Sequence, residues 1–299
     1  MDYAGLRALA AVLEEGTFER AAERLGLTPS AISHRIRALE SQFSTQLIVR
    51  STPCSATQMG DQLIRHFERV QLLEKELQSK LNLSDPRAGQ RARIRVVVNA
   101  DSLSTWFMEV IGLYFQQTGN LLDIIVEDQD YAQDLLAQSK SDAVVSALNT
   151  SQLDKSVQAL GILRYRATAT PRFMDTVFSD GVTTDSLLNA PLINFNRKDG
   201  LQARWIEQAV GRKIAPPTHY IPSSSAFVET CLYGVGWAMN PEHLVSDYLE
   251  KGQLVELIPD LTVDVPLCWQ ISPLASEVLK ELTDCVVQVA GKKLLPAAT

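Results

Sequence analysis

No apolar run in these 299 residues approaches the roughly 18 needed to cross a bilayer. The opening stretch, MDYAGLRALAAVLEEG, is broken by Arg7, Glu14 and Glu15 and lacks a basic start, so it does not read as a signal peptide. Cysteine is sparse. Cys54, Cys231, Cys268 and Cys285 lie far apart without a C-x-x-C, which argues against a disulfide framework and against a zinc site. His34, His66, His219 and His243 are scattered, and no metal or cofactor is expected. There is no P-loop and no elbow serine followed by acid and histidine, so the residues that enzymes need are missing. A cytoplasmic, non-enzymatic protein is the expectation. What is present is enough apolar residue, 45%, to bury the cores of two or three domains.

Positive charge is also short, with a net charge of −7. Ten of the 28 Lys and Arg and ten of the 35 Asp and Glu fall in residues 1–80, so that segment is neutral and the acidity lies beyond it. Arg35, Arg37 and Arg50 cluster within it. The sign of a contacting face, not the total charge, decides whether DNA is a partner.

Residues 18–40, FERAAERLGLTPSAISHRIRALE, code for two short helices around a glycine. Ala21, Ala22 and Leu25 make one apolar face; Ile32, Ile36 and Leu39 make another at helical spacing. Gly26 permits the positive φ that ends the first helix, Thr28 suits an N-cap and Pro29 a first helical position. With the apolar side buried, Ser30, Ser33, His34 and Arg37 face outward, a surface suited to a polar, anionic partner. An ordinary αα-hairpin would give the same pattern. The surroundings add to it: a helix over Tyr3–Glu15 precedes, and a strand-like run Gln46–Arg50, a Pro-containing turn and Ala56-Thr57 follow as a wing.

The order F-x-x-AA-x-x-L, T-P-S-A-I-S, R-I-x-x-L-E, L-I-V-R and T-x-x-G in residues 2–81 resembles the LysR-type transcriptional regulators. The resemblance implies a double-stranded DNA operator as partner. It makes Thr28, Ser30, Ser33, His34 and Arg37 the DNA-facing set, with Arg50 a phosphate contact of the wing. Arg37 has the geometry to fork onto guanine, and His34 to donate to the same edge. The wing departs from many members: Pro53, Cys54 and Ala56 occupy a shorter segment with one basic residue fewer.

Residues 59–81 carry Leu63, Phe67, Val70, Leu73, Leu77 and Leu81 at steps of three and four, a seam for a partner helix. In the family this is the dimerising linker helix, which implies a homodimer or homotetramer; packing on its own domain is the alternative. The stretch 82–93 reads as a hinge. Beyond it strands and helices alternate: 94–98, a helix from Ser102, 121–127, a helix near 130–139 and 142–148; then 192–196, helices at 200–210 and from Ser223, 234–239, 254–258, 265–271 and a final helix at 275–294. That order predicts βαβ units with a parallel sheet. The domains expected are a winged helix-turn-helix at 1–58, a linker helix at 59–81, a hinge at 82–93 and an effector-binding domain at 94–299. The last resembles the family's two-lobed, periplasmic-binding-protein-like α/β domain, with lobe I at 94–165 and 266–299 and lobe II at 166–265. A solute-binding protein would share the lobes but not the helix-turn-helix.

Ligands of open α/β sheets sit beyond the carboxyl ends of strands. That rule selects Asn99, Asp101 and Ser102 after the first strand, Glu127 and Asp128 after the second, Ser146 on the third, and Ser223, Ser224 and Ser225 opening a helix of the other lobe. The serines also suit capping. N-A-D-S-x-x-T-W (99–106), V-E-D (126–128), G-V-G-W-A-M-x-P (234–241), D-V-P-L-x-W-Q (264–270) and the wing's P-C-x-A-T resemble the arginine- and lysine-responsive ArgP/LysG branch, which controls basic amino-acid export. That implies L-lysine or L-arginine as effector, hydroxyls and backbone N–H groups for its α-carboxylate, and Asp101 with Glu127 for its cation. Trp106 and Trp269 are candidates to wall its aliphatic stem. RNA polymerase is a further partner the family implies, and an effector from another pathway remains the alternative.

Overall fold

The structure, a computed structural model, describes residues 2–80, 93–127, 141–147, 157–271 and 279–296. Asp128, Leu81, the hinge before Arg93, the helix expected near 130–139 and the start of the final helix lie outside the described residues.

The N-terminal module packs α1 (Tyr3–Glu15), α2 (Phe18–Leu25) and α3 (Pro29–Phe43) around one core. Leu6, Leu9 and Val12 meet Ala21, Ala22, Ile32, Ile36 and Leu39 there, all nearly inaccessible. Each fully buried Leu or Ile contributes about 1.5–3 kcal/mol. The turn between α2 and α3 follows from its residues: Gly26 takes φ 64°, and Thr28 Oγ1 accepts the Ala31 N–H at 3.2 Å, with Pro29 in the first turn. Two short antiparallel strands, β1 (Ile48–Val49) and β2 (Ser55–Ala56), form the wing. The Cys54 N–H donates to the Gly16 carbonyl at 2.8 Å and ties the wing to the end of α1. Glu40 on α3 anchors its other side, accepting the Leu47 N–H at 2.9 Å. The T-x-x-G motif also has a physical reason. Thr57 Oγ1 accepts from Gly60 N–H at 3.1 Å and donates to the Gln46 carbonyl at 2.8 Å, and a Cβ on Gly60 would lie 2.0 Å from the Leu47 carbonyl oxygen.

The helix α4 (Gln58–Lys80) corrects part of the expected dimer seam. Leu63 and Phe67 are buried in the N-terminal core, with Phe67 against Tyr3 at 6.2 Å between ring centres. The first three turns of α4 lie along α1, and the apolar strip they share satisfies both helices within one chain. Val70 is half-buried and Leu73 is 47% exposed. The seam positions left for a partner therefore begin at Val70, in the fourth turn.

Beyond the linker, β3 (Arg93–Val98), β4 (Leu121–Val126) and β5 (Ala143–Ala147) form a parallel group in the order β4-β3-β5. Ala100–Ser102 (α5), a π-helical turn over Leu103–Phe107 and Met108–Thr118 (α6) run on as one helix that packs on it. The expected parallel pairing covers these three strands, and the rest of the sheet is antiparallel. A 13-residue strand that the sequence reading missed, β6 (Val157–Ala169), lies antiparallel to β11 (Thr262–Ile271), which in turn lies antiparallel to β5. The C-terminal part of β6 pairs with β9 (Ala238–Pro241) on the edge away from β11, and its last residues pair with β10 (Val255–Glu256) on the opposite edge. The remaining elements are β7 (Leu192–Asn194) beside β8 (Thr218–Tyr220), and the helices α7 (Pro171–Val177), α8 (Thr184–Asn189), α9 (Leu201–Val210), α10 (Ser224–Leu232), α11 (Glu242–Glu250) and α12 (Lys280–Lys293). The result is two α/β lobes joined by β6 and β11. From Gly161 onward β6 alternates, with Leu163, Tyr165 and Ala167 inward and Arg164 and Arg166 outward. Arg164 pairs with Asp264 directly opposite on β11, and Arg166 bridges Glu242 and Glu256.

Candidate DNA-binding face and candidate effector cleft

The outer face of α3 carries its polar residues as a rigid row. Thr28, Ser30, His34 and Arg37 are exposed and Ser33 is half-buried. The Thr28 hydroxyl already caps the helix. No ion pair engages Arg37 among the described residues, and Glu40, the acid next along that helix, is turned to the wing instead. The acids of α1 are drawn away too: Arg24 pairs with Glu14 and, at 3.2 Å, with Glu15. Arg50 holds its guanidinium 5.2 Å over the Phe18 ring, beside the start of α2. The chain as a whole is acidic, yet this face presents unpaired positive charge and hydroxyls.

The second site is a cavity of about 960 Å³ lined from both lobes. Asn99, Asp101, Glu127 and Ser146 reach it from the ends of β3, β4 and β5, and Ser224 from the start of α10. Ser102 and Ser223 are not on its wall. Ser102 is fully buried, and Ser223 accepts the Ala226 N–H at 3.4 Å as the N-cap of α10, which frees Ser224 to face the cavity. Ser225 meets Ser223 at 3.4 Å. Trp106 and Trp269 are also corrected: both are about 1% exposed in the core, and Val126, Val145, Phe195, Met239 and Pro266 supply the apolar wall.

Asp101 is the centre of the polar lining. Its Oδ1 accepts from Ser224 Oγ at 2.6 Å and its Oδ2 from Tyr165 Oη at 2.7 Å, so the carboxylate ties lobe to lobe through two neutral donors. Among the described residues no Lys, Arg or His forms an ion pair with it. Desolvation pushes its pKa above the ordinary carboxylate value; the two hydroxyls oppose this, and nearby Asp199 adds to it. Burial and the Asp101 carboxylate hold the Tyr165 phenol well above its ordinary value, so it stays a donor.

Tyr165, Lys198, Asp199 and Arg204 line the cavity and were not singled out from the sequence. Tyr165 lies on the missed strand. The others sit around the start of α9, where Asn196 Oδ1 accepts the N–H groups of Lys198 (2.7 Å) and Asp199 (3.0 Å), and Asp199 Oδ1 accepts that of Leu201 (3.0 Å). An Asn-rich loop opening a helix at a strand end was the available signal. Ser146 Oγ lies 3.5 Å from Cys268 Sγ, and burial raises the pKa of that thiol.

Comparison with known proteins follows the same division. Residues 4–61 match the bacterial regulatory helix-turn-helix proteins of the lysR family, and residues 87–291 match the LysR substrate binding domain. The HTH-type transcriptional regulator ArgP of Pseudomonas fluorescens (strain Pf0-1) is 40% identical over 299 residues, 99% of each chain. LysG of Mycobacterium tuberculosis (strain H37Rv) is 39% identical over 97% of this chain and 94% of its own. Among solved structures, ArgP from Mycobacterium tuberculosis superposes with a TM-score of 0.75 at 37% identity, over 99% of this chain and all of that one. Full-length LysG from Corynebacterium glutamicum with bound effector Arg gives 0.64 at 30%, with the same coverage.

Proposed function

The chain belongs to the LysR family of bacterial regulators, as a transcriptional regulator of the ArgP/LysG type, and we propose that its effector is L-arginine or L-lysine and its target an amino-acid exporter gene. One observation carries the effector reading. A desolvated carboxylate, Asp101, lines a cavity large enough for an amino acid, is met among the described residues by neutral hydroxyls alone, and lies near a second acid, Asp199. An unpaired charge in such a setting is costly, and a ligand that brings the cation removes the cost. Glu127 adds a third acid to the same wall. Lys198 and Arg204, on the opposite lobe, supply the counterpart for an α-carboxylate. The apolar residues between suit a methylene stem. The bound Arg in the Corynebacterium glutamicum LysG structure supports this choice.

On the DNA side, the free Arg37 and His34 read base edges in a major groove, with Thr28, Ser30, Ser33 and Arg50 positioning the backbone. Two copies joined through α4 would place two such helices one DNA turn apart, about 34 Å. Calorimetry with L-arginine and L-lysine, together with a gel shift on DNA upstream of its own gene with and without each amino acid, tests the reading. The expected result is binding of at least one of them and a changed shift in its presence. Binding of neither, with an operator complex intact, moves the protein to another effector class.

A further inference from the structure

We propose that Tyr165 and Ser224 are positioning residues for effector recognition: by donating to the two oxygens of Asp101 they fix its carboxylate across the lobes and leave its negative charge for a cationic head group. This rests on the basic amino-acid reading above and names what makes that site select charge.

The geometry assigns each residue its part. Asp101 is anchored on α5, where Thr105 Oγ1 donates to its backbone carbonyl at 2.7 Å. Tyr165 comes from β6, the strand shared by both lobes, and its ring is 4% exposed in the main core. A phenylalanine would fill the same apolar space, so the hydroxyl is the part of this side chain that packing does not require. Ser224 comes from α10 in the second lobe, and its neighbour Ser223 already performs the capping. The Ser224 hydroxyl is thus free to serve Asp101.

Neutral donors matter here. An ionised carboxylate offers about four lone-pair sites, and one donor on each oxygen leaves about two for a ligand. A lysine or arginine at either position would neutralise the acid internally and remove the need for a cation. A hydroxyl stabilises the ionised form without cancelling its charge. Among the described residues, the other charged groups sharing the cavity are Glu127 at the end of β4, Lys198 and Asp199 before α9, and Arg204 on α9. They are common to wild type and variants, so a comparison at each pH isolates the hydroxyls.

The test is calorimetry on the full-length protein and its Tyr165→Phe and Ser224→Ala variants, at about pH 6 and about pH 8, on either side of neutrality. The probes are L-arginine, L-lysine and the uncharged arginine isostere L-citrulline, with thermal melting to verify folding. Losing one hydroxyl that favours the ionised form should weaken arginine or lysine binding about tenfold near pH 6. The deficit should be larger at the lower pH than at the higher, because a lost hydroxyl donor disfavours the ionised form, and the preference over citrulline should fall. Unchanged affinities in both variants overturn the proposal while leaving the effector reading intact. A pH-independent loss that citrulline shares also overturns it, since that is a reshaped cavity. If the wild type binds neither basic amino acid, the effector reading fails first and this proposal falls with it.

Discussion

Arg69 and Asp142, 73 residues apart, join the linker helix to the effector domain: Nε and Nη2 of Arg69 donate to Asp142 Oδ1 at 3.0 and 2.9 Å. The other oxygen accepts the Arg95 N–H at 3.0 Å, and the Asp142 N–H returns to the Arg95 carbonyl at 2.9 Å. Arg95 in turn pairs with Asp123 and, at 3.7 Å, with Asp61 on α4. Asp142 immediately precedes β5 and Arg95 lies in the first half of β3, and the far ends of the same two strands lead to Ser146 and Asn99 on the cavity wall. The cleft and the helix that carries the DNA-binding module therefore sit at opposite ends of a rigid parallel pair.

Arg69→Gln should uncouple those ends. Operator affinity without effector and effector affinity without DNA should both stay near wild type, because neither site is touched. The factor by which the effector changes operator affinity should shrink; such couplings are typically about 1–3 kcal/mol. DNA titrations with and without saturating arginine or lysine measure that factor. The same factor in the variant would place the coupling elsewhere.

Arg37→Ala should lower operator affinity by about 1–3 kcal/mol and relax sequence preference at one base step. Glu40→Gln gives the contrast. It touches the wing anchor at Leu47 rather than the exposed row, so it should cost stability more than base discrimination. Footprint titrations on matched and mismatched operators separate the two. Retained discrimination in Arg37→Ala would remove that residue from base readout.

The linker helix demands a different substitution than its pattern suggests. Phe67→Glu would bury a carboxylate in the N-terminal core against Tyr3, and should melt the module, since breaking such packing costs about 3–5 kcal/mol. Leu73 is exposed within one chain, so Leu73→Glu should leave the module's melting unchanged while weakening association. Light scattering that shows a monomer for Leu73→Glu, with intact helical signal, assigns the interface to the later turns of α4. An unchanged mass would move it off this helix.

These contrasts also show where sequence reasoning reached. The N-terminal module was legible because its signals are local: Gly26, Thr28 and Pro29 set the turn, and the i, i+4 spacing of Ile32 and Ile36 sets the buried side. The strand-end rule selected Asp101 and Ser224, and both line the cavity. Strand β6 was not, because Arg164, Arg166 and Gly161 break its apolar look and their partners lie up to about a hundred residues away on β11 and α11. Tyr165 was lost with it. Asp199 went unseen although its Asn-rich loop opens a helix at a strand end, because its nearness to Asp101 is a relation between two lobes that local sequence does not carry. Seam and core looked alike at Leu63 and Phe67, since an apolar heptad does not say which helix covers it.

Asp101→Asn should separate binding from stability. Its carboxylate has a raised pKa in the folded chain, chiefly from desolvation. A raised folded value means that the group favours folding below its unfolded pKa, and that this contribution is lost as pH rises through the folded value. At neutral pH without effector, ionised Asp101 is therefore a cost that asparagine does not carry. The variant should melt at or above the wild-type temperature near neutrality, and the difference should disappear in acid. Binding should move the opposite way. A cationic head group would then enter a site whose compensating charge is gone, a loss of about 2–5 kcal/mol, on the order of a hundredfold in Kd. Glu127→Gln should cost less, since no hydroxyl pair fixes that carboxylate among the described residues. Calorimetry and melting curves over pH measure both. A variant that binds arginine and lysine as the wild type does, with Glu127→Gln equally silent, would make Asp101 only an interlobe tie to Ser224 and Tyr165, and would move recognition of the cationic end to another group of the cleft, Asp199 first.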